Sequence, residues 1–398
     1  MKLRNFTLLF TVLLSMSSVP TFAHDFEAKN SDGVTIYYNF RNDKTELSVA
    51  FRGEAATSDY YDDWERYTGH VVIPESVTYE GKAYPVTEIG HHSFSYCKGL
   101  TTVTIPSSVT RIDKSAFAFC SGLTAVEIPS SVTEIEDAAF AYTSLTSFTL
   151  PANVTNIVYD TFRGCDSLTV ITVEEDNPMY DSRDNCNAII ETETNKLVVG
   201  CKNSVIPSTV TSLGLCAFLG CHLLASITIP GSVISLGSEV FGNCNALTSI
   251  TIPGSVTSIG AWAMYGSDNL AVVHLIGNDA LTIGNNFLRN CRKLTDVYYY
   301  KEKLPTIDDQ AFYQIDLENV TLHVPAAAVD AFKAAEPWSS FKTVVPITEE
   351  DLAKVGSITA ESTAGETRFT LSGQRMATPQ KGVSIVKKGD KTVKVLAK

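Results

Sequence analysis

Beyond its first 23 residues this 398-residue chain has no apolar run near the roughly 18 residues that a membrane-spanning helix requires, so no transmembrane segment is expected after that point. Basic residues are also scarce, with 31 Lys and Arg against 44 Asp and Glu and a net charge of −13. A surface that acidic repels a phosphate backbone, which excludes nucleic acid as an expected partner. The spacings that mark common catalytic centres are missing as well: there is no H-E-x-x-H, no G-x-S-x-G, no phosphate-binding Gly-rich loop ending in Gly-Lys, and no paired C-x-x-C. No catalytic residue, metal or cofactor is therefore expected, and the chain reads as something other than an enzyme. His70, His91 and His92 do not alter this, because neighbours on an extended segment point to opposite sides and would not share one metal. The acids Glu174, Glu175, Asp176, Asp181 and Asp184 lack the spacing of a calcium loop and read as a solvated loop.

What the chain does have is a period. A phenylalanine returns every 23 residues at Phe94, Phe117 and Phe140, comes one residue early at Phe162, and after an inserted stretch resumes at Phe218, Phe241, Met264 and Phe287, with Phe312 slightly late. A fixed period of this length marks a solenoid, in which each repeat buries its apolar face only by stacking on its neighbours. Leu100, Val103 and Ile105 recur as Leu123, Val126 and Ile128 and as Leu247, Ile250 and Ile252, an L-x-x-h-x-I core with the alternation of a short strand. Pro106, Pro129, Pro151, Pro207, Pro230 and Pro253 close these strands, since a residue without a backbone donor cannot continue a ladder. A second apolar pair, such as Val109 with Ile112, carries the chain back, and an Ala-Phe pair such as Ala116 and Phe117 plugs the coil. Cys97, Cys120, Cys165, Cys221 and Cys244 all stand three residues after the plug, so a shared repeat position explains them as small buried residues in a column.

These features place the chain in the leucine-rich-repeat class, a mainly β repeat solenoid with irregular turns. More narrowly, I-P-x-S-V-T-x-I-G-x-x-A-F-x-x-C resembles the repeat of BspA-like bacterial surface proteins, over Tyr84 to Ile315. Three copies depart from it: Thr143 replaces the cysteine, Met264 replaces the phenylalanine, and Leu270 to Lys293 lacks the Ile-Pro step. The resemblance implies adhesion to host proteins or to other bacterial cells.

The ends divide the chain further. Lys2 and Arg4 precede an apolar run and a Thr21-Phe22-Ala23 triplet, which reads as a signal peptide over 1–23 cleaved before His24. No cysteine precedes Cys97, so a lipoprotein anchor is not expected. The mature chain, with 29 basic and 44 acidic residues, carries −15. The leader predicts export, and resemblance to bacterial surface and sorting segments implies a protein secreted or held at the surface of a Gram-negative bacterium. Residues 24–77 alternate like strands and suit a β cap over the exposed end of the 78–323 solenoid. Residues 324–345 read as a capping helix segment, 346–365 as a linker, and 366–398 as a small β-module. Leu371, Gly373 and Arg375, followed by Pro379, Lys381 and Gly382, are similar to C-terminal sorting modules of related bacteria; a β-module with no sorting role is the competing reading.

The period breaks at about 173–207, where NAIIE and KLVVGC flank a polar turn and read as a hairpin. If Ile190 lies opposite Leu197, Cys186 falls opposite Cys201, which makes a disulfide geometrically plausible in an exported protein; two half-buried thiols in a structural bulge are the alternative reading. Function then falls to the outward residues of the stacked strands. These form a ladder of small hydroxyls, Thr102, Thr104, Thr228 and Thr251 among them, which changes toward the C-terminal coils to His274, Asp296 and Tyr298. Aromatics among polar residues suit contact hot spots. The leading expectation is a non-catalytic scaffold binding a protein, of the host matrix or of a bacterial surface. Glycan binding through Tyr60, Tyr61, Trp64 and Tyr67, or a structural envelope role, are the alternatives.

Overall fold

The computed structural model describes residues 24–51 and 66–352, and the backbone of four further strands, Glu366–Phe369, Arg375–Met376, Gly382–Lys388 and Lys391–Ala397. The signal segment and Tyr60, Tyr61 and Trp64 lie outside the described residues.

Each coil follows from the repeat. In Leu100–Thr104 Leu100 and Val103 turn inward with Thr101 and Thr104 exposed, and Ile105 and Pro106 bury the exit. The chain reverses on a bond from the Val109 N–H to the Pro106 carbonyl (3.1 Å) and forms a two-residue back strand at Arg111–Ile112. It then inserts Phe117, which is fully buried. Inserting the plug requires two left-handed residues per coil, such as Ser115 (φ 54°) and Phe119 (φ 63°), and again Ala138 and Tyr142. Outside glycine that conformation costs about 1–2 kcal/mol per residue, and cross-coil contacts offset it. Phe117 N–H reaches Ala139 O and Phe119 N–H reaches Ala141 O, both at 2.8 Å. The plugs also stack, Phe94 on Phe117 at 5.1 Å and Phe117 on Phe140 at 5.4 Å, a geometry worth about 0.5–1.5 kcal/mol per pair beyond area burial.

Stacking the coils generates two parallel ladders. The front ladder holds Gly69–Val72 with Leu100–Thr104, then Ser147–Leu150 with Val170–Val173, then the run Ser249–Ile252, Val272–Leu275, Asp296–Tyr299, Thr321–Val324 and Thr343–Pro346. The back ladder is built of the short second strands and comes in two pieces, each begun by an antiparallel hairpin. Thr35–Arg41 and Glu46–Val49 open the first, which passes through Lys82–Ile89 to Asn156–Ile157. Ala188–Glu191 and Lys196–Gly200 open the second, which runs from Ser212–Leu213 to Thr306–Ile307.

The inner hairpin divides the interior. Ile189, Val199 and Cys201 face a core that begins at Phe26, whereas Cys186, Ala188, Ile190 and Leu197 face one that ends at Val344. This corrects the expected disulfide. Ile190 does lie opposite Leu197, but a bulge follows, so Ile189 pairs with Val199 and Ala188 with Gly200. One extra residue on one strand sends the following side chains to the other face. The Cys186 and Cys201 thiols consequently sit free in different cores.

The second core ends under the helix Val329–Ala334, where Phe332 is buried and Trp338 and Phe341 close on Phe312 at 5.2 and 5.0 Å. The last four strands form a sheet of their own, ordered Arg375–Met376, Glu366–Phe369, Gly382–Lys388, Lys391–Ala397.

Candidate partner-binding face

Register places the outward residues of the front ladder in two columns. At its N-terminal end His70 lies beside Thr102 and Thr104, its Nδ1 2.7 Å from Thr102 Oγ1 and its Nε2 3.3 Å from Thr104 Oγ1. Thr149 and Thr172 hydroxyls meet at 3.0 Å, and Thr228 is exposed. Thr251 is half-buried and pairs across the ladder with His274, which pairs with Tyr298 and then His323. Hydroxyls therefore give way to rings along one column.

Three of the predicted residues, His274, Asp296 and Tyr298, come together, while Thr102 and Thr104 lie on the same face over the first core. Tyr298 stacks between His274 (4.6 Å) and His323 (4.1 Å, 9° between planes). His323 Nε2 is 2.8 Å from Asp296 Oδ1, and His274 Nδ1 is 2.9 Å from the Tyr300 hydroxyl. Burial lowers the His274 pKa, and burial together with the nearby Asp351 carboxylate pushes Tyr298 up to about 12. Burial raises Tyr300 as well. The phenols thus stay protonated at neutral pH, so the patch offers neutral hydrogen-bonding groups on stacked ring edges. Tyr299 points into the core and is fully buried.

His323 and Asp351 were missed by sequence reasoning. His323 in T-L-H-V holds the same strand position as Tyr298 in D-V-Y-Y, a signal readable only if the ladder is continued past Phe312. Asp351, whose Oδ1 lies 3.4 Å from the Tyr298 hydroxyl, follows the last front strand and has no repeat position at all.

Two expectations need correction. Tyr67 is no exposed ring: it is 3% exposed, packs on Phe94 at 4.8 Å and continues the plug column, with its hydroxyl 3.4 Å from the Tyr37 N–H. A sugar has no access to its face. His91 and His92 do not point apart either, because His92 is left-handed (φ 57°) and the two rings lie 4.0 Å apart. Burial, with His91 and Lys114 nearby, lowers His92 to about 4. Among the described residues no three His, Cys, Asp or Glu gather as metal ligands.

The repeated cysteines form a column of donors. Cys120, Cys165, Cys244 and Cys291 each direct their thiol at the carbonyl of the preceding coil's plug, at 2.9, 3.1, 3.3 and 3.1 Å. Ser267 makes the same contact to Phe241 at 2.9 Å, while Thr143 bonds its own plug, Phe140, at 2.9 Å. Burial pushes Cys165 up to about 11 and Cys291 to about 12, which keeps these thiols protonated.

A leucine-rich repeat protein from Eubacterium ventriosum is similar over 74% of this chain and 86% of its own, with a TM-score of 0.51 at 21% identity. A leucine rich cell surface protein from Faecalibacterium prausnitzii aligns over 83% of this chain and 97% of its own, at TM-score 0.42 and 21% identity. The pneumococcal vaccine antigen PcpA aligns over 82% and 100%, at 0.43 and 16%. No curated protein matches the chain by sequence. Residues 82–187 and 188–318 match the model of the BspA type leucine rich repeat region, in six copies. The chain belongs to the BspA-type leucine-rich-repeat family.

Proposed function

We propose that the protein is an exported, non-catalytic binding scaffold of a bacterial surface, and that it contacts a protein partner through the front ladder, with the C-terminal ring patch as its anchor. The observation that carries this reading is the change along one ladder column from Thr251 to the stacked His274, Tyr298 and His323. Rings that combine apolar area with hydrogen-bonding tips are the usual anchors of a protein contact. The patch also lies on rigid, register-fixed strands, so little conformational freedom is lost on binding. Membership in a family of repeat scaffolds supports the reading, and no helix among the described residues is long and apolar enough to cross a membrane.

The test is binding of the chain beginning at His24 to parallel arrays of matrix proteins and glycans, each at low and high salt. The expected result is saturable binding to a protein that weakens as salt rises, since the partner meets an acidic molecule. Binding confined to neutral glycans and indifferent to salt would contradict it, and so would silence on both arrays.

A further inference from the structure

The ring patch is partly covered by the chain itself, and the manner of covering indicates what it recognises. After the last front strand, Thr343–Pro346, the Ile347 N–H still follows the ladder and donates to Val324 O at 2.8 Å. Residues 349–352 are then helical, with Thr348 immediately before them. The Thr348 N–H and hydroxyl both donate to Asp351 Oδ2, at 3.0 and 2.6 Å, and the Asp351 N–H donates back to Thr348 Oγ1 at 3.2 Å. This reciprocal cap fixes the carboxylate and leaves Oδ1 facing the Tyr298 hydroxyl at 3.4 Å.

The burial of this turn is inverted. Asp351 is 8% exposed, whereas Leu352 beside it is 54% exposed and Glu349 and Glu350 face solvent. A turn seated by the hydrophobic effect would bury the leucine and hydrate the acid, because an ionised carboxylate is costly to desolvate unless it is hydrogen-bonded. The patch therefore selects the carboxylate. The Tyr298 hydroxyl supplies the donor, and the closed pair of Asp296 and His323 borders it.

We propose that the patch formed by His274, Tyr298 and His323 is a receptor for an acidic peptide turn of the Thr-x-x-Asp type, and that Thr348–Leu352 is its resident occupant. A protein partner of net basic charge that presents such a turn binds by displacing it, its overall charge giving the salt dependence and the turn the specificity. The inference deepens the scaffold reading of the same face and rests on it. It also adds a condition, since the face is available in proportion to how often the turn lifts.

The experiment uses the full chain and a fluorescent peptide spanning 346–355, PITEEDLAKV. In the chain carrying Thr348→Ala and Asp351→Ala the peptide is expected to bind saturably, at least about tenfold more tightly than in the unaltered chain. Binding is expected to fall by about tenfold, the loss of one hydrogen bond to a charged group, when Tyr298→Phe is added or when the peptide has asparagine in place of Asp351. Both altered residues lie beyond Val344, where the core ends, and an unchanged thermal melt establishes that the variant is folded. No binding to the folded double variant, or binding that ignores both the Tyr298 hydroxyl and the peptide carboxylate, overturns the proposal. Array binding that depends on Tyr298 but is equal in the unaltered chain and the double variant sinks the resident turn and leaves the scaffold reading standing. Peptide capture with silent arrays does the reverse.

Discussion

The hairpin at the N-terminal end and the hairpin in the middle of the chain have the same build, an antiparallel pair that hands over to a parallel back ladder, but different surroundings. The first buries Ile36, Tyr38, Leu47 and Val49 against one core. The second is covered on both sides, with Ile189 and Val199 in one core and Ile190 and Leu197 in the other. A cap set inside a solenoid thus becomes a partition, and the molecule behaves as two stacked solenoids, each with its own start. The outer surfaces follow the same division. Along the back ladder the first half is charged, with Arg111 within 3.9 Å of Glu88, Asp113, Glu134 and Glu136, whereas the second half presents Ser212, Ser235, Ser258, Thr282 and Thr306 in register. The front ladder reverses the contrast, with hydroxyls first and rings last.

The largest effect expected is from removing a plug. Phe117→Ala and Phe241→Ala should each cost about 3–5 kcal/mol in chemical denaturation. If the partition is real, hydrogen exchange will show lost protection confined to the mutated half; loss spread evenly over both halves would argue for one continuous core. Next comes the wall itself. A Cβ on Gly200 would lie 2.2 Å from Cε1 of Phe218. Gly200→Ala should therefore cost about 1–3 kcal/mol by overpacking and, unlike either plug variant, loosen both halves.

Smaller again is a pH effect at the junction. Burial, with Asp137 and Glu239 nearby and despite Arg163, raises Asp160 from 3.8 to about 6. A carboxyl raised in the folded state contributes stability that is present below 3.8 and lost as pH rises through 6. Asp160→Asn should flatten that decline, and equal pH slopes for the two proteins would refute the coupling. Smallest of all is the effect of reductant: with Cys186 and Cys201 apart, dithiothreitol should leave the melt unchanged, and the unreduced, denatured chain should take nine alkyl groups. Seven would indicate one disulfide.

The coils were legible because every copy repeats one environment, so Phe117 or Ile105 in one coil predicts its counterparts in the next. The partition was only half legible. The hairpin and the Ile190–Leu197 pairing follow from the apolar runs and the polar turn, but the run Leu197-Val198-Val199 is apolar at every step and so leaves no alternation to locate the bulge. Tyr67 was misread for a related reason. It ends an acidic, aromatic string that looks solvated, yet it stands at the head of the plug column, where packing against Phe94 overrides its neighbours. At the front face His274, Asp296 and Tyr298 were readable from the ladder position. His323 was hidden by the fading repeat, its ladder position readable only by continuing past Phe312, whereas Asp351 follows the last front strand, where periodicity carries no information.

The most direct test of the account compares the two ends of the front face on one bound partner. With a protein captured from the matrix array, Tyr298→Ala should lower affinity by about tenfold or more, as for a buried aromatic anchor, while Thr102→Ala combined with Thr104→Ala should change it less than about twofold. Loss of binding through the threonines, with Tyr298→Ala silent, would contradict the account.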